Sequence, residues 1–386
     1  MKVALVCERV DPAGGGLEQW IAALAPRLEQ RGHEVHVVCF RVAAGAAGER
    51  VHALPWSPSR LVRAAAVERA LVALAPDLTH DTGVGWRYDV LHPQAGARLA
   101  NHGRDLASLS PAARLRRRLN PALYRWRREV RELERRQYAR TRGLVIAVSG
   151  MVARDLQSRC GVAAERLRIV PNGVDTERFA PARCAAMRAA ARAQIGADAT
   201  TPVFLFAARN PRLKGLLPLL RATALLRAGG SPLSVVVIGC APEPGIRRAA
   251  RHLGVADVVT FAGVVDDPAP LYGAADAFVL PTYYDACSLT VLEACACGLP
   301  VITTRHNGAS ELIAHDRDGF VLDDADDVRS LAALMARATD AAVRRRVAPA
   351  ARALALRNTL ERNVDGVLRA YGEALARRAS PSPATG

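Results

Sequence analysis

Two cations and two carboxylates carry the most specific chemistry in this chain of 386 residues. Arg209 and Lys214 stand in Arg209-Asn210-Pro211-Arg212-Leu213-Lys214-Gly215, and Asp285 and Glu293 bracket the stretch Ala286-Cys287-Ser288-Leu289-Thr290-Val291-Leu292. A planar guanidinium fork and a compact ammonium together suit a diphosphate, and the two are not exchangeable at a close phosphate site. All of the 53 Lys+Arg residues are Arg except Lys2 and Lys214, so Lys214 is an unexpected letter. Its plainer reading is a solvated basic loop. If Ser288 stands near a helix start, Glu293 falls more than a turn inside, where a carboxylate suits ribose hydroxyls. The amides of Cys287, Ser288, Leu289 and Thr290 then point at an anion. An acid on a helix dipole and a polar helix position account for the same letters more plainly. Near the N-terminus, Gly14, Gly15 and Gly16 let backbone N–H groups approach an anion at a helix start. The run is not the GxGxxG fingerprint, and a flexible strand-to-helix turn explains it equally.

The elements that must hold these residues read as α/β, with short β-branched runs alternating with Ala/Leu/Arg stretches of helical period. In the first half, strands are expected at Val3 to Val6, Val35 to Val38, Asp77 to His80, Tyr88 to Leu91, Leu144 to Val148 and Arg168 to Val170. A second series runs through Val203 to Ala207, Leu233 to Ile238, Val258 to Phe261, Ala277 to Leu280, Val301 to Thr303 and Gly319 to Leu322. Two parallel sheets follow. Arg209 and Lys214 then sit at the carboxyl edge of the second sheet, where open α/β folds bind ligands. The expected division is a first domain over 1–180, a linker over 181–201 whose turn residues suit a hinge, and a second domain over 202–355. A last helix, about Leu356 to Arg378, is a candidate to lie back on the first domain. The Pro/Ser/Ala tail 379–386 is expected to be disordered.

Length gives two or three globular units on the prior of roughly 150 residues per domain. Half the residues are hydrophobic and only 5% aromatic, so Ala, Val and Leu must fill the cores. The formal net charge of +16 predicts attraction to phosphates, acidic lipids or nucleic acid. The eight Cys form no CxxC pair and no His cluster accompanies them at zinc spacing, which predicts reduced, buried, cytosolic thiols. The first apolar run ends at Glu8-Arg9, too short for a signal peptide or a membrane span. The expected location is the cytoplasm, at most against a membrane surface. From Arg98 to Arg142 there are 14 Arg against Asp105, Glu129, Glu132 and Glu134, interleaved with Leu115, Leu119, Leu123, Tyr124, Trp126, Val130, Leu133 and Tyr138. This reads as basic helices with an apolar face that dock on anionic lipid or a phosphorylated glycolipid, or as ordinary Arg-rich helices. A nucleic-acid binder is disfavoured because stacking platforms, zinc ligands and a recognition helix are missing.

Taken together, Gly14 to Leu17, Val170-Pro171-Asn172-Gly173-Val174-Asp175, the R-x4-K-G string at Arg209 to Gly215, the D-x7-E string at Asp285 to Glu293, and the run Gly298 to Ile313 resemble the retaining glycosyltransferases of family 4. The likeness looks closest to the glucosyltransferases of the lipopolysaccharide core. It implies the GT-B fold, two Rossmann-like doubly wound domains facing across a cleft. It implies that Glu293 binds the ribose of a nucleotide-sugar donor, UDP-glucose or another UDP-sugar, and that Arg209 and Lys214 hold its diphosphate. Gly15 and Gly16 would close over the donor from the other domain. Asp285 takes the place of the family's usual Glu and would contact sugar hydroxyls. The backbone of Ala286 to Leu289 would touch sugar and phosphate, and Gly263-Val264 would border the base. His92, following a first-domain strand, would face the reacting sugar, or else be a packed or capping His.

The same likeness implies a mechanism with no metal, in which the leaving diphosphate accepts the acceptor's proton on the same face. The acceptor would be a lipopolysaccharide core or another lipid-linked glycan. Two D-x-D strings, Asp316 to Asp318 and Asp324 to Asp326, read as solvated loops rather than metal ligands. A GT-B epimerase or sugar phosphorylase is the nearest rival enzyme, and a dehydrogenase is weaker.

Overall fold

The computed structural model describes residues 1–139, 143–241 and 243–379. The chain divides into a first unit, Met1–Pro171 joined by the segment from Leu360, and a second unit, Asn172–Thr359. The first unit is built on seven parallel strands: β1 (Lys2–Val6), β2 (Glu34–Cys39), β3 (Val51–Ala53), β4 (Leu78–Asp81), β5 (Val90–Leu91), β6 (Leu144–Ala147) and β7 (Leu167–Ile169). Their spatial order is β3-β2-β1-β4-β5-β6-β7. The second unit repeats the plan with β8 (Val203–Ala207), β9 (Ser234–Ile238), β10 (Val259–Gly263), β11 (Ala277–Leu280), β12 (Val301–Thr304) and β13 (Phe320–Leu322), ordered β10-β9-β8-β11-β12-β13. Both sheets reverse direction of winding beside their first strand, which opens a crevice at the carboxyl ends of the strands. The central strands are buried on both faces, as in Phe204, Leu205 and Phe206 or Val235, Val236 and Val237. That burial is why they read as continuous apolar runs.

The helix Leu360–Ala379 belongs to the first unit, where Val364, Val367, Ala370, Tyr371 and Ala374 join a core with Leu5, Leu24, Val90 and Ile146. Its Gly366 lies so close to Val170 that a Cβ would come within 2.7 Å of a valine methyl. The stretch 181–201, whose turn residues read as a linker, contains the helix Pro181–Gln194 of the second unit. Arg188 and Arg192 on that helix both reach Asp276, at 2.7 and 3.2 Å. The tail expected to be disordered lies outside the described residues apart from Ala379.

The basic stretch forms three helices, Arg98–Ala107, Pro111–Arg118 and Pro121–Tyr138; its residues 140–142 lie outside those described. Ser110 and Asn120 cap the second and third through their side chains, each followed by Pro at the first helical position. The apolar residues of the stretch divide. Val130, Leu133 and Tyr138 are buried, whereas Leu115, Leu119 and Tyr124 are exposed. The short strands Val51–Ala53, Arg9–Val10 and Arg41–Val42 were not foreseen from the sequence; two or three residues carry no period to read.

Candidate functional site

In the second unit, β8, β10, β11 and β12 end at one edge of the sheet, and the residues singled out for chemistry follow them. After β8 the chain turns through Arg209 to Gly215. Gly215 adopts φ +83°, and a Cβ there would lie 1.9 Å from the Pro281 carbonyl oxygen, so only glycine lets this loop pass the end of β11. The Leu213 carbonyl accepts from Tyr283 N at 2.9 Å and from Thr282 Oγ1 at 3.1 Å, which fastens the two loops together. Lys214 is thereby set against the neighbouring loop: its Nζ lies 2.6 Å from Asp285 Oδ2 and donates to the Tyr284 carbonyl at 3.0 Å. The two residues are thus one ion pair, with both side chains largely out of solvent. Arg209 stays exposed at the same edge.

Asp285 is anchored by its backbone, which bonds to His306 O at 2.9 Å and accepts from Gly308 N at 2.8 Å. Asn307, fully buried between these two, accepts from Ser288 N at 3.2 Å and Ala309 N at 3.1 Å and donates to Thr303 Oγ1 at 3.1 Å. Asn172 Nδ2 donates to the Cys287 carbonyl at 2.8 Å. The loop from Asp285 to Ser288 is therefore held from three sides. Ser288 is the N-cap of the helix Leu289–Ala296, its Oγ accepting from Val291 N at 3.4 Å and facing Thr290 Oγ1 at 3.0 Å. The Leu289 and Thr290 amides belong to the unpaired first turn.

Glu293 lies on that helix, and Tyr272 Oη donates to its Oε2 at 2.6 Å. Burial raises the Glu293 carboxyl above its ordinary range, against the Tyr272 hydrogen bond and the Arg178 charge, which lower it. Gly263 ends β10 with φ +74°, and Val264 after it is 60% exposed, so this strand end is open. The arrangement offers a paired ammonium, a carboxylate beside it, a capped helix N-terminus and a second, half-buried carboxylate. Such a set fits an anion flanked by hydroxyl groups.

The other candidates are in the first unit. Gly14 is enclosed: a Cβ would stand 2.7 Å from the Asp11 carbonyl and 2.6 Å from Glu18 Cβ. Gly15 is the N-cap of the helix Gly16–Gln30, with no side-chain cap, and Glu18 stands in its first turn. His92 is fully buried. Its Nδ1 lies 3.2 Å from His80 Nε2, and His80 Nδ1 lies 2.7 Å from Tyr371 Oη, while Trp20 packs edge-on at 4.8 Å. Burial lowers both imidazoles and keeps them neutral, His80 near 3. Half-buried Gln94, its Nε2 3.3 Å from His92 Nε2, continues this row of side chains. The site residues missed in the sequence are Tyr272, Asn307 and Asn172; the last two stand in the strings that carried the family resemblance, and nothing marks Tyr272.

Both D-x-D strings are engaged by neighbours. Asp316 pairs with Arg337 and Arg346, Asp318 with Arg317, and Asp326 accepts from Tyr283 Oη at 2.6 Å. Among the described residues no group of three or more His, Cys, Asp or Glu is placed to hold a metal ion.

The family model described as Glycosyltransferase Family 4 matches residues 14–178, and that described as Glycosyl transferases group 1 matches residues 201–340. The chain is 30% identical to a D-inositol 3-phosphate glycosyltransferase of Acidothermus cellulolyticus, over 98% of this chain and 91% of that protein. It is 37% identical to the same-named protein of Pseudarthrobacter chlorophenolicus over 46% of this chain, spanning 43% of that relative's length. Among solved structures it is similar to WaaG, a glycosyltransferase involved in lipopolysaccharide biosynthesis, with a TM-score of 0.79, 22% identity and coverage of 95% and 98% of the two chains. It is also similar to Anabaena HepE in complex with UDP and glucose, with a TM-score of 0.73, 19% identity and coverage of 96% and 99%.

Proposed function

The chain belongs to glycosyltransferase family 4 and has the GT-B fold, and from that premise we propose that it transfers a hexose from a UDP-sugar to an acceptor hydroxyl with retention of the anomeric configuration. The observation that carries this reading is the Lys214–Asp285 pair, fixed beside the N-terminus of the helix that bears Glu293. In the proposal, Lys214 and Arg209 take the diphosphate with the amides of Ala286 to Thr290. Glu293, oriented by Tyr272, takes the ribose hydroxyls, Asp285 takes sugar hydroxyls, and Gly263-Val264 borders the base. UDP as the nucleotude is favoured by the likeness to HepE bound to UDP and glucose. Charge that develops on the departing β-phosphate is stabilised by preorganised cations and amides, and the diphosphate oxygen receives the acceptor's proton. This sequence of events uses no metal.

The acceptor has two readings, each with its own support. The relatives are named for D-inositol 3-phosphate, which favours a phosphorylated polyol. The exposed Leu115, Leu119 and Tyr124 beside Arg114, Arg116, Arg117 and Arg118 favour a lipid-linked glycan, such as a lipopolysaccharide core, reached at an anionic membrane surface. Each such cation contributes roughly 1 kcal/mol near an anionic leaflet. No described helix is long and apolar enough to cross a membrane. Co-sedimentation with vesicles tests the surface docking, and equal binding to neutral and anionic vesicles defeats it. Incubation with UDP-sugars and candidate acceptors, with the product anomer read by NMR, tests the reaction. Transfer with retention supports it, whereas an epimerised sugar nucleotide or phosphate-dependent release of sugar phosphate assigns the chain to one of the rival enzymes.

A further inference from the structure

Three arginines of the first unit gather where the proposed donor chemistry gives them no work. Arg41 follows β2, and Arg60 and Arg63 occupy the first turn of the helix Arg60–Leu74, so all three stand at the carboxyl edge of the first sheet. Trp56 gathers two of them. The Arg41 guanidinium lies 3.9 Å and that of Arg63 4.3 Å from its ring centroid, and the ring is 42% exposed. Arg60 lies 5.8 Å from the ring of Trp126.

Placing cations here is costly in two ways. The first turn of a helix carries positive potential from its unpaired N–H groups, and this one has no acidic residue in that turn and no side-chain hydrogen bond from its N-cap, Ser59. The guanidinium groups also repel one another, and burial together with this repulsion weakens the hold of Arg60 and Arg63 on their protons. Glu8 and Glu129 oppose these effects, and on Arg63 each outweighs the repulsion from Arg41 or Arg98. Glu8, itself half-exposed, approaches Arg63 only to 3.8 Å, and Glu129 accepts from the backbone N–H of Arg60 at 3.0 Å rather than from a guanidinium. Arg98 at the same edge is occupied by the Gly83 carbonyl, with Glu134 accepting from its backbone N–H at 3.0 Å. Arg63 is 4% exposed and donates from Nη1 to the Ser57 carbonyl at 2.6 Å, yet its Nε is buried with no hydrogen-bond partner. A concentration of cations on a helix N-terminus, with one buried donor unspent, is what an anion site requires.

We infer that Arg41 and Arg63, with Trp56 as their platform, and Arg60 on the same helix as Arg63 bind a phosphomonoester group on the acceptor. The inference rests on the transferase reading for the word acceptor, and on the first unit alone for the site. A phosphomonoester presents pairs of oxygens that a planar guanidinium fork matches two at a time, and its charge relieves the mutual repulsion of the three cations.

The test uses the full chain and titrates D-inositol 3-phosphate, myo-inositol and inorganic phosphate at constant ionic strength, with UDP titrated separately. It includes Arg41→Gln and Arg60→Gln, whose side chains are less buried than Arg63, so that folding is preserved. The expected result is that D-inositol 3-phosphate and inorganic phosphate bind, that myo-inositol binds at least about tenfold more weakly than its phosphate, and that each variant loses about tenfold in phosphate affinity. UDP affinity stays at the wild-type value. Vesicles containing phosphatidic acid form a second arm. Binding to them that is lost in both variants, with no response to the soluble phosphates, supports the site and assigns the phosphomonoester to a lipid. Phosphate and vesicle affinities that are the same in wild type and both variants overturn the inference while UDP binding stands. Absence of UDP binding to the wild type instead removes the transferase reading and leaves the phosphate result to be judged by itself.

Discussion

The Lys214–Asp285 pair assigns opposite roles to two residues that touch, so removing each should have a different effect. Lys214 Nζ has two protein acceptors, Asp285 Oδ2 at 2.6 Å and the Tyr284 carbonyl at 3.0 Å, and the side chains are 21% and 16% exposed. That exposure lies between a surface pair, worth about 0–1 kcal/mol, and a buried pair, whose breaking costs about 3–5 kcal/mol. Lys214→Met should therefore destabilise the second unit by about 1–3 kcal/mol and leave a carboxylate without its cation. For a diphosphate, loss of one charge-assisted hydrogen bond is worth about 1.5–3 kcal/mol, or roughly 10- to 150-fold in affinity. Asp285→Asn keeps the ammonium on the Tyr284 carbonyl and removes a negative charge from beside the phosphates. UDP should bind this variant as tightly as wild type or more tightly, while turnover of the UDP-sugar falls. Calorimetric titration of UDP into wild type, both single variants and the double variant measures the cycle. Equal weakening of UDP binding by Lys214→Met and Asp285→Asn would refute the division of labour.

Further expectations follow from burial. Because burial raises the Glu293 carboxyl above its ordinary value of 4.5, the folded chain keeps a proton there after the unfolded chain has lost it, and stability falls as pH rises through that interval. Glu293→Gln should flatten this dependence in denaturant titrations between pH 4 and neutrality while weakening UDP. Gly215→Ala should lower the melting temperature of the second unit, since its left-handed φ alone costs about 1–2 kcal/mol before the contact with the Pro281 carbonyl is counted. Asp81, pushed up to about 6 by burial, accepts from the amides of Gly83, Val84 and Gly85. Asp81→Asn turns an NH2 towards one of these donors and should cost about 1–3 kcal/mol, read as a lower denaturation midpoint.

What the sequence disclosed follows from what is local in it. Strands such as Val203–Ala207 and Ser234–Ile238 are buried on both faces and read as apolar runs, and the two series of them gave both sheets. Lys214 was legible through contrast with a chain that otherwise uses Arg. The same bias hid Arg41, Arg60 and Arg63, which no contrast sets apart; Trp56 brings Arg41 to Arg63 from another element. Tyr272 stands 21 positions before Glu293, beyond the reach of any periodicity. That Lys214 is already paired with Asp285, across the end of β11, is a property of loop packing rather than of either string. His92 shows the converse limit. Its place after a strand suits a site residue, whereas its surroundings of His80, Trp20 and Gln94 bury it completely.

The most direct test is thermal stabilisation of the full chain by UDP, GDP and ADP, compared among wild type, Lys214→Met and Glu293→Gln. A ligand at a hundredfold excess over its dissociation constant stabilises by about 2.7 kcal/mol, which is readily seen. The expected result is a shift with UDP that is much reduced in both variants. No shift with any nucleotide, or a UDP shift undiminished in both variants, would contradict a donor site at the carboxyl edge of the second sheet.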